Sequence, residues 1–177
     1  MKKIVMIIAP ENFRDEELLV PKGHFEGKGI KVAVASTKKG PCKGSRGAVV
    51  NSELTLNEVN VSDFDAVLFV GGGGTPVIRK EERALEIAQE TVVQGKVLGA
   101  ICWAATTLAK AGVLEGKNAT VWVGPDSEFG MDTNEYIESM GATYVAEGVV
   151  ADGKIVTADG PAHAQQWAAE IEKLLGK

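Results

Sequence analysis

Lys96-Val97-Leu98-Gly99-Ala100-Ile101-Cys102-Trp103-Ala104-Ala105-Thr106-Thr107-Leu108 carries the decisive pattern of this chain. Val97, Leu98 and Ile101 suit a strand covered on both faces. From Ala104 onward the residues are good or tolerable helix formers. Cys102 lies where the two patterns meet, with Ala100 two residues before it and Ala104 two residues after. Small-x-nucleophile-x-small is the cysteine counterpart of the G-x-S-x-G elbow, where a tight turn lifts a nucleophile clear of its own backbone. A helix starting beside the sulfur turns free N–H groups towards it. The expectation is a thiolate favoured by that helix start. A buried, inert cysteine at a strand end is the competing reading.

Outward from this elbow, strand and helix patterns alternate. Residues 2–9 read as a buried first strand and residues 15–26 as a helix containing Pro21, closed by Gly27 and Gly29. Residues 30–35 read as a second strand, and together they form a βαβ unit. Residues 38–52, rich in Gly, Pro and charge, read as a loop with a short hairpin. Residues 66–70 form a strong strand running into Gly71-Gly72-Gly73-Gly74. A helix is expected over 80–94, with Leu85, Ile87, Ala88 and Val92 inward. After the elbow come a strand at 119–123, a short helix at 134–140 and strands near 143–146 and 149–151. A hairpin at Asp152-Gly153 leads to a returning strand at 154–158, and a final helix covers 161–175. The pattern indicates an α/β sandwich with a mainly parallel sheet.

The bulk properties narrow the function. With 177 residues the chain is long enough for a single domain, residues 1–177. A net charge of −5 and the lack of a basic stripe argue against nucleic acid as a partner. No apolar run is long enough to span a bilayer. The basic, apolar start lacks a cleavage site, so no membrane association and a cytoplasmic location are expected. Cys42 and Cys102 match no metal-ligand spacing, and two histidines cannot make a histidine-rich site, so no metal is expected. The glycine run follows the third strand and lacks a G-K-[ST] continuation. Phosphate cradling is therefore disfavoured, and no cofactor is expected.

In open parallel sheets, sites form at the carboxyl ends of strands. The first strand, the strand before Gly71–Gly74 and the strand before Cys102 would bring three segments together there. Glycine N–H groups, with that of Trp103, are suited to an oxyanion hole for attack by Cys102 on a carbonyl. A carboxylate from Asp15-Glu16-Glu17 would tune the thiol, and a buried carboxyl would titrate with it as a coupled pair. The local pattern does not separate Glu17 from its neighbours. His163 is a possible base, but a surface histidine at a helix start is the favoured reading. His24 reads as a helix-surface residue and Cys42 as an incidental loop thiol with Lys39, Lys43 and Arg46 nearby in sequence.

Asp15-Glu16-Glu17-Leu18-Leu19-Val20-Pro21, Phe64 to Gly72, Ala100-Ile101-Cys102 and Ala111 to Lys117 together resemble the ThiJ/PfpI superfamily across nearly the whole chain. The resemblance implies a flavodoxin-like three-layer sandwich and a homodimer or higher homo-oligomer. It implies Cys102 as nucleophile, Glu17 as the glutamate touching it and Gly72 as the oxyanion-hole glycine, with Gly71 beside it. Two departures stand out. PfpI-type peptidases resemble this chain but carry His directly after the nucleophile, where Trp103 stands here. The histidine that deglycase relatives carry on a later strand aligns with Trp122. Protease activity loses most by this, since a Cys–His pair needs its base. The resemblance implies a hydrolase or glyoxalase/deglycase-like enzyme acting on a small-molecule carbonyl or acyl substrate. The rival is an oxidation-sensing stress protein without turnover.

Overall fold

The computed structural model describes residues 1–176. Its main sheet contains β1 (Lys3–Ile7), β2 (Lys31–Ser36), β3 (Leu54–Thr55), β4 (Ala66–Phe69), β5 (Val97–Ile101), β6 (Val149–Asp152) and β7 (Ile155–Ala158). The spatial order is β6-β7-β5-β4-β1-β2-β3. All neighbours pair in parallel except β6 with β7, which form a hairpin about Gly153 at φ 59°. The helices are α1 (Asp15–Gly27), α2 (Thr75–Arg79), α3 (Glu82–Val93), α4 (Ala105–Lys110), α5 (Thr133–Ser139) and α6 (Ala164–Leu175).

Period-two alternation sends the side chains of each central strand to two different cores. Val5, Ile7, Val67, Phe69, Leu98 and Ala100 face the side packed by residues of α3, α4 and α5. Ile4, Met6, Ala66, Leu68, Val97 and Ile101 face the side packed by residues of α1 and α6. Both sides are apolar, so the strands read as continuous hydrophobic runs, as doubly covered parallel strands should. Gly99 admits α6 closely: a β-carbon there would fall 2.9 Å from Trp167 Cζ2. Trp167 is itself fixed by its Nε1–H, which donates to the Val156 carbonyl at 3.0 Å.

Three sequence expectations need correction. The helix expected over 80–94 is α3 (Glu82–Val93), and the extended Glu81 separates it from a further short helix, α2 (Thr75–Arg79), that lies before the expected span. The inward stripe of α3 is Ala84, Ile87, Ala88 and Thr91, a true i, i+3, i+4, i+7 set. Leu85 is only half-buried and Val92, one position off that stripe, is 42% exposed. The strand expected at 119–123 shrinks to Asn118–Ala119, paired with Thr143–Tyr144 outside the main sheet. Beyond it the Thr120 N–H donates to the Thr157 hydroxyl at 2.9 Å, and the Trp122 N–H to the Cys102 carbonyl at 3.2 Å. These bonds, one to a side chain of β7 and one to the Cys102 turn, replace a strand ladder. Finally, the hairpin in 38–52 exists (Gly40–Gly44 with Val49–Ser52), and Glu11–Phe13 joins it as a third strand too short and polar to be read from sequence.

Candidate active site

Ile101 is extended at φ −126°, ψ 144°, and Cys102 then turns to φ 62°, one of two non-glycine residues with positive φ among those described. A three-residue 3-10 turn, Cys102–Ala104, leads into α4. A left-handed conformation is strained for a side chain as large as cysteine and is held only where the surroundings over-determine it. Here they do. Ala100 and Ala104 are buried, and the Cys102 carbonyl is held by the Trp122 N–H.

The glycine loop after β4 closes over the same point. A β-carbon on Gly71 would lie 2.5 Å from the Ile101 carbonyl oxygen, 2.8 Å from Glu17 Oε1 and 2.9 Å from Cys102 Cβ. Gly72 sits at φ 107°, and a β-carbon there would lie 2.5 Å from the Arg14 nitrogen. Only glycine fits either position. The backbone N–H groups of Gly72 and Trp103 act on the Cys102 sulfur and favour its charged form.

Glu17, in the first turn of α1, is 0% exposed. Neither carboxyl oxygen has a hydrogen-bond partner of good geometry among the described residues. Burial pushes its pKa up to about 8, against the pull of the Cys102 thiol, the Arg14 charge and the Gly71 N–H. Cys102 is 9% exposed, and burial followed by the neighbouring Glu17 charge pushes its thiol up as well. The expectation that the helix start yields a thiolate is therefore corrected. The two N–H groups do pull downward, but a short turn cannot outweigh burial beside a carboxylate. The two acids cannot both ionise at this separation, so they share protons as one unit.

A cavity of about 310 Å³ opens on the sulfur, lined by Cys102, Gly72, Gly73, Trp103, Trp122 and Pro161, with Arg14 and Ser45 completing it. The two indoles lie 5.4 Å apart at a tilt of 46°. Both positions noted for their missing histidines thus form an aromatic wall. No imidazole lines the cavity among the described residues. His163 Nδ1 meets Asp159 Oδ1 at 2.6 Å beside Gly148, and His24 bridges Glu172 and Gln165 at 2.7 and 2.8 Å. Cys42, read as a loop thiol, is instead fully buried in the core on the α1 and α6 side.

Sequence reasoning missed a second charged cluster behind Trp103. Trp103 Nε1–H donates to Asp126 Oδ2 at 2.8 Å. Arg79, 0% exposed, donates to Asp126 Oδ2 at 2.6 Å and Oδ1 at 3.2 Å, to Glu128 at 2.8 Å and to the Thr106 hydroxyl at 2.9 Å. Its guanidinium also stands 4.3 Å above the Phe129 ring, which stacks on Tyr136. Arg79 holds the Asp126 and Glu128 carboxyls below their usual range; for Asp126 the opposing effect of burial is the largest single influence. No sequence motif marks this cluster, since Arg79 and Asp126 are 47 residues apart. Among the described residues no group of three or more His, Cys, Asp or Glu is placed to hold a metal, and no helix is long and apolar enough to cross a membrane.

Comparison with known proteins adds an independent line. The sequence model described as DJ-1/PfpI family matches residues 2–174. An uncharacterized protein of Methanocaldococcus jannaschii is 39% identical over 176 residues, covering 99% of this chain and 83% of that protein. A protein of Pyrococcus furiosus named deglycase PfpI is 32% identical over 171 residues, covering 97% and 98%. The crystal structure of a ThiJ/PfpI domain protein from Brachyspira murdochii superposes with a TM-score of 0.91 at 31% identity, covering 98% of this chain and 96% of that one.

Proposed function

The chain belongs to the DJ-1/PfpI family, and from that premise we propose that it is a cysteine-dependent enzyme attacking reactive carbonyl compounds, α-oxoaldehydes above all. One observation carries this reading: Cys102 is held in a strained elbow with two backbone N–H groups and the buried Glu17 carboxyl converging on its sulfur. A structural cysteine has no use for such an arrangement. The name of the Pyrococcus furiosus relative, a deglycase, points towards the same class of carbonyl chemistry.

The chemistry follows from the charge state. When the Cys102–Glu17 unit carries a single negative charge, the thiol proton can pass to Glu17, leaving a thiolate beside a neutral acid. The sulfur attacks the aldehyde carbon, and the carbonyl electrons move onto oxygen. The Gly72 and Trp103 N–H groups then receive that oxyanion. Glu17 moves the proton of the former aldehyde carbon to the adjacent carbon, generating a thioester of a 2-hydroxy acid. Water hydrolyses the thioester and restores the thiol. The sum is α-oxoaldehyde plus water to 2-hydroxy acid, with no external oxidant or reductant.

The decisive assay follows methylglyoxal conversion to lactate, with parallel ester and peptide substrates, on wild type, Cys102→Ser and Glu17→Gln. Turnover that disappears in the first variant and drops at least a hundredfold in the second is the expected result. No Cys102-dependent turnover on any substrate overturns the proposal.

The cavity wall without an imidazole favours a second reading, an oxidation-sensing thiol. Peroxide would transfer oxygen to the thiolate with loss of hydroxide, and a second equivalent would give sulfinic acid. Intact mass after mild peroxide distinguishes the two. A prompt two-oxygen adduct at Cys102 supports sensing, and an unmodified protein removes that reading.

A further inference from the structure

The Cys102 cavity has one charged lining residue among those described, Arg14, and beside it one hydroxyl, Ser45. Trp103, Trp122 and Pro161 supply the apolar lining. A simple α-oxoaldehyde such as methylglyoxal uses none of the polar side. Arg14 is nonetheless built in. Its N–H donates to the Gly71 carbonyl at 2.9 Å, which ties its backbone to the glycine loop. Its Nε donates to Glu16 Oε2 at 2.5 Å, and the Glu16 side chain is half-exposed. That bond orients the guanidinium yet leaves both terminal nitrogens without a protein acceptor among the described residues.

Ser45 is latched to the same place. Its N–H donates to the Phe13 carbonyl at 2.8 Å. The two oxygens of buried Asp15, next to Arg14 in the chain, accept from the N–H groups of Arg46 at 3.0 Å and Ala48 at 2.8 Å. Asp15 also fills the space a side chain on Gly44 would need, since a β-carbon there would fall 1.9 Å from Asp15 Oδ1. Arg14 and the exposed Ser45 thus both line the cavity on backbone that is already fixed, and the Arg14 charge acts on Glu17 and Cys102. An oriented fork of open N–H donors, with a serine on the same cavity lining, suits a carboxylate, which accepts such donors in pairs.

We propose that Arg14 and Ser45 form a carboxylate subsite and that the preferred substrate is an α-oxoaldehyde bearing a carboxylate, bound with its aldehyde carbon at Cys102. This rests on the carbonyl-attacking reading of Cys102. The reaction is the same addition, proton shift and hydrolysis. It yields a 2-hydroxy acid with a second carboxylate, and atoms balance with water alone. Glu16 orients the guanidinium from its half-exposed position while the open face meets the substrate.

The test compares 4,5-dioxopentanoate with methylglyoxal in kcat/KM for wild type, Arg14→Gln and Arg14→Lys. Wild type is expected to favour the carboxylate substrate at least tenfold. That ratio should fall at least tenfold in Arg14→Gln and be partly kept in Arg14→Lys. A second measurement needs no turnover: alkylation of Cys102 by iodoacetate relative to iodoacetamide, expected to fall at least fivefold in Arg14→Gln. Methylglyoxal turnover with both ratios unmoved by Arg14→Gln overturns the subsite and leaves the carbonyl reading standing. No turnover of either aldehyde overturns the carbonyl reading and, with it, the proposed substrate. The alkylation ratio then shows whether the anion preference of the cavity survives.

Discussion

Two buried charged clusters flank the elbow, and they are built on opposite terms. Behind Trp103, Arg79 and Asp126 are paired twice over, with Glu128, Thr106 and the Trp103 indole as further partners. Beside Cys102, Glu17 is just as buried, but among the described residues its two oxygens make no hydrogen bond of good geometry and have only the Cys102 thiol and the Gly71 N–H close by. A buried group whose partners are supplied is tolerated by the fold. One left without them costs stability and persists where chemistry requires it. The paired cluster anchors the Trp103 indole, and the other lies against the Cys102 sulfur to which the proposed chemistry is assigned.

The comparison is broken most directly at the sulfur. Cys102→Ser should lower carbonyl turnover at least a thousandfold while the melting temperature shifts by only a few degrees. A large loss of stability with activity retained would reverse the assignment of the two clusters.

Arg79→Met should do the opposite. It strands Asp126 in the interior and is expected to destabilise by about 3–5 kcal/mol, lowering the melting temperature by roughly 10 °C. Arg79→Met combined with Asp126→Leu should recover part of that loss, which denaturant titration of the single and double variants would show.

Glu17→Gln should stabilise the protein, and more so as pH rises. The folded carboxyl keeps its proton up to about pH 8, while in the unfolded chain it releases it near its ordinary value of 4.5. The raised folded pKa gives stability that is complete below about pH 4.5 and is lost as pH climbs through 8. At pH 9 the cost removed by the amide is on the order of 3–5 kcal/mol, since each tenfold change in proton affinity is worth about 1.4 kcal/mol. Thermal melts of both proteins at pH 5 and pH 9 check it: the gap between them should widen with pH, and a constant gap would mean that Glu17 titrates as an ordinary carboxyl.

The smallest effect sharpens the link between the clusters. Trp103→Phe keeps the ring but removes the Nε1–H to Asp126, a charge-assisted bond worth about 1.5–3 kcal/mol at most. It should lower stability within that range while kcat and KM change little, because the backbone N–H at position 103 is untouched by the substitution.

Much of this was legible in residue order because the signals are local. The β5 run, the thiol between two small residues and the glycine loop after β4 are contiguous patterns with short-range causes. The inward face of α3 is read one position off at Val92, because the inward place belongs to a polar residue, Thr91, whose hydroxyl is satisfied by the Ile87 carbonyl at 2.6 Å and so can be buried. The strand expected at 119–123 failed for a different reason. Its residues alternate as a strand should, but the backbone bonds of Thr120 and Trp122 go to a side chain and to the elbow.

Residue order by itself determined the doubly covered parallel sheet and the place where its strand ends would converge, because hydrophobic periodicity and turn residues act over a few positions. It also named Cys102. What only the tertiary structure decided is how deeply the Glu17 carboxyl is buried against that sulfur, how far burial overrides the helix start, and that Arg79, Asp126, Arg14 and Ser45 stand around it. Those are consequences of desolvation and of contacts between distant segments, and neither exists until the chain has closed on itself.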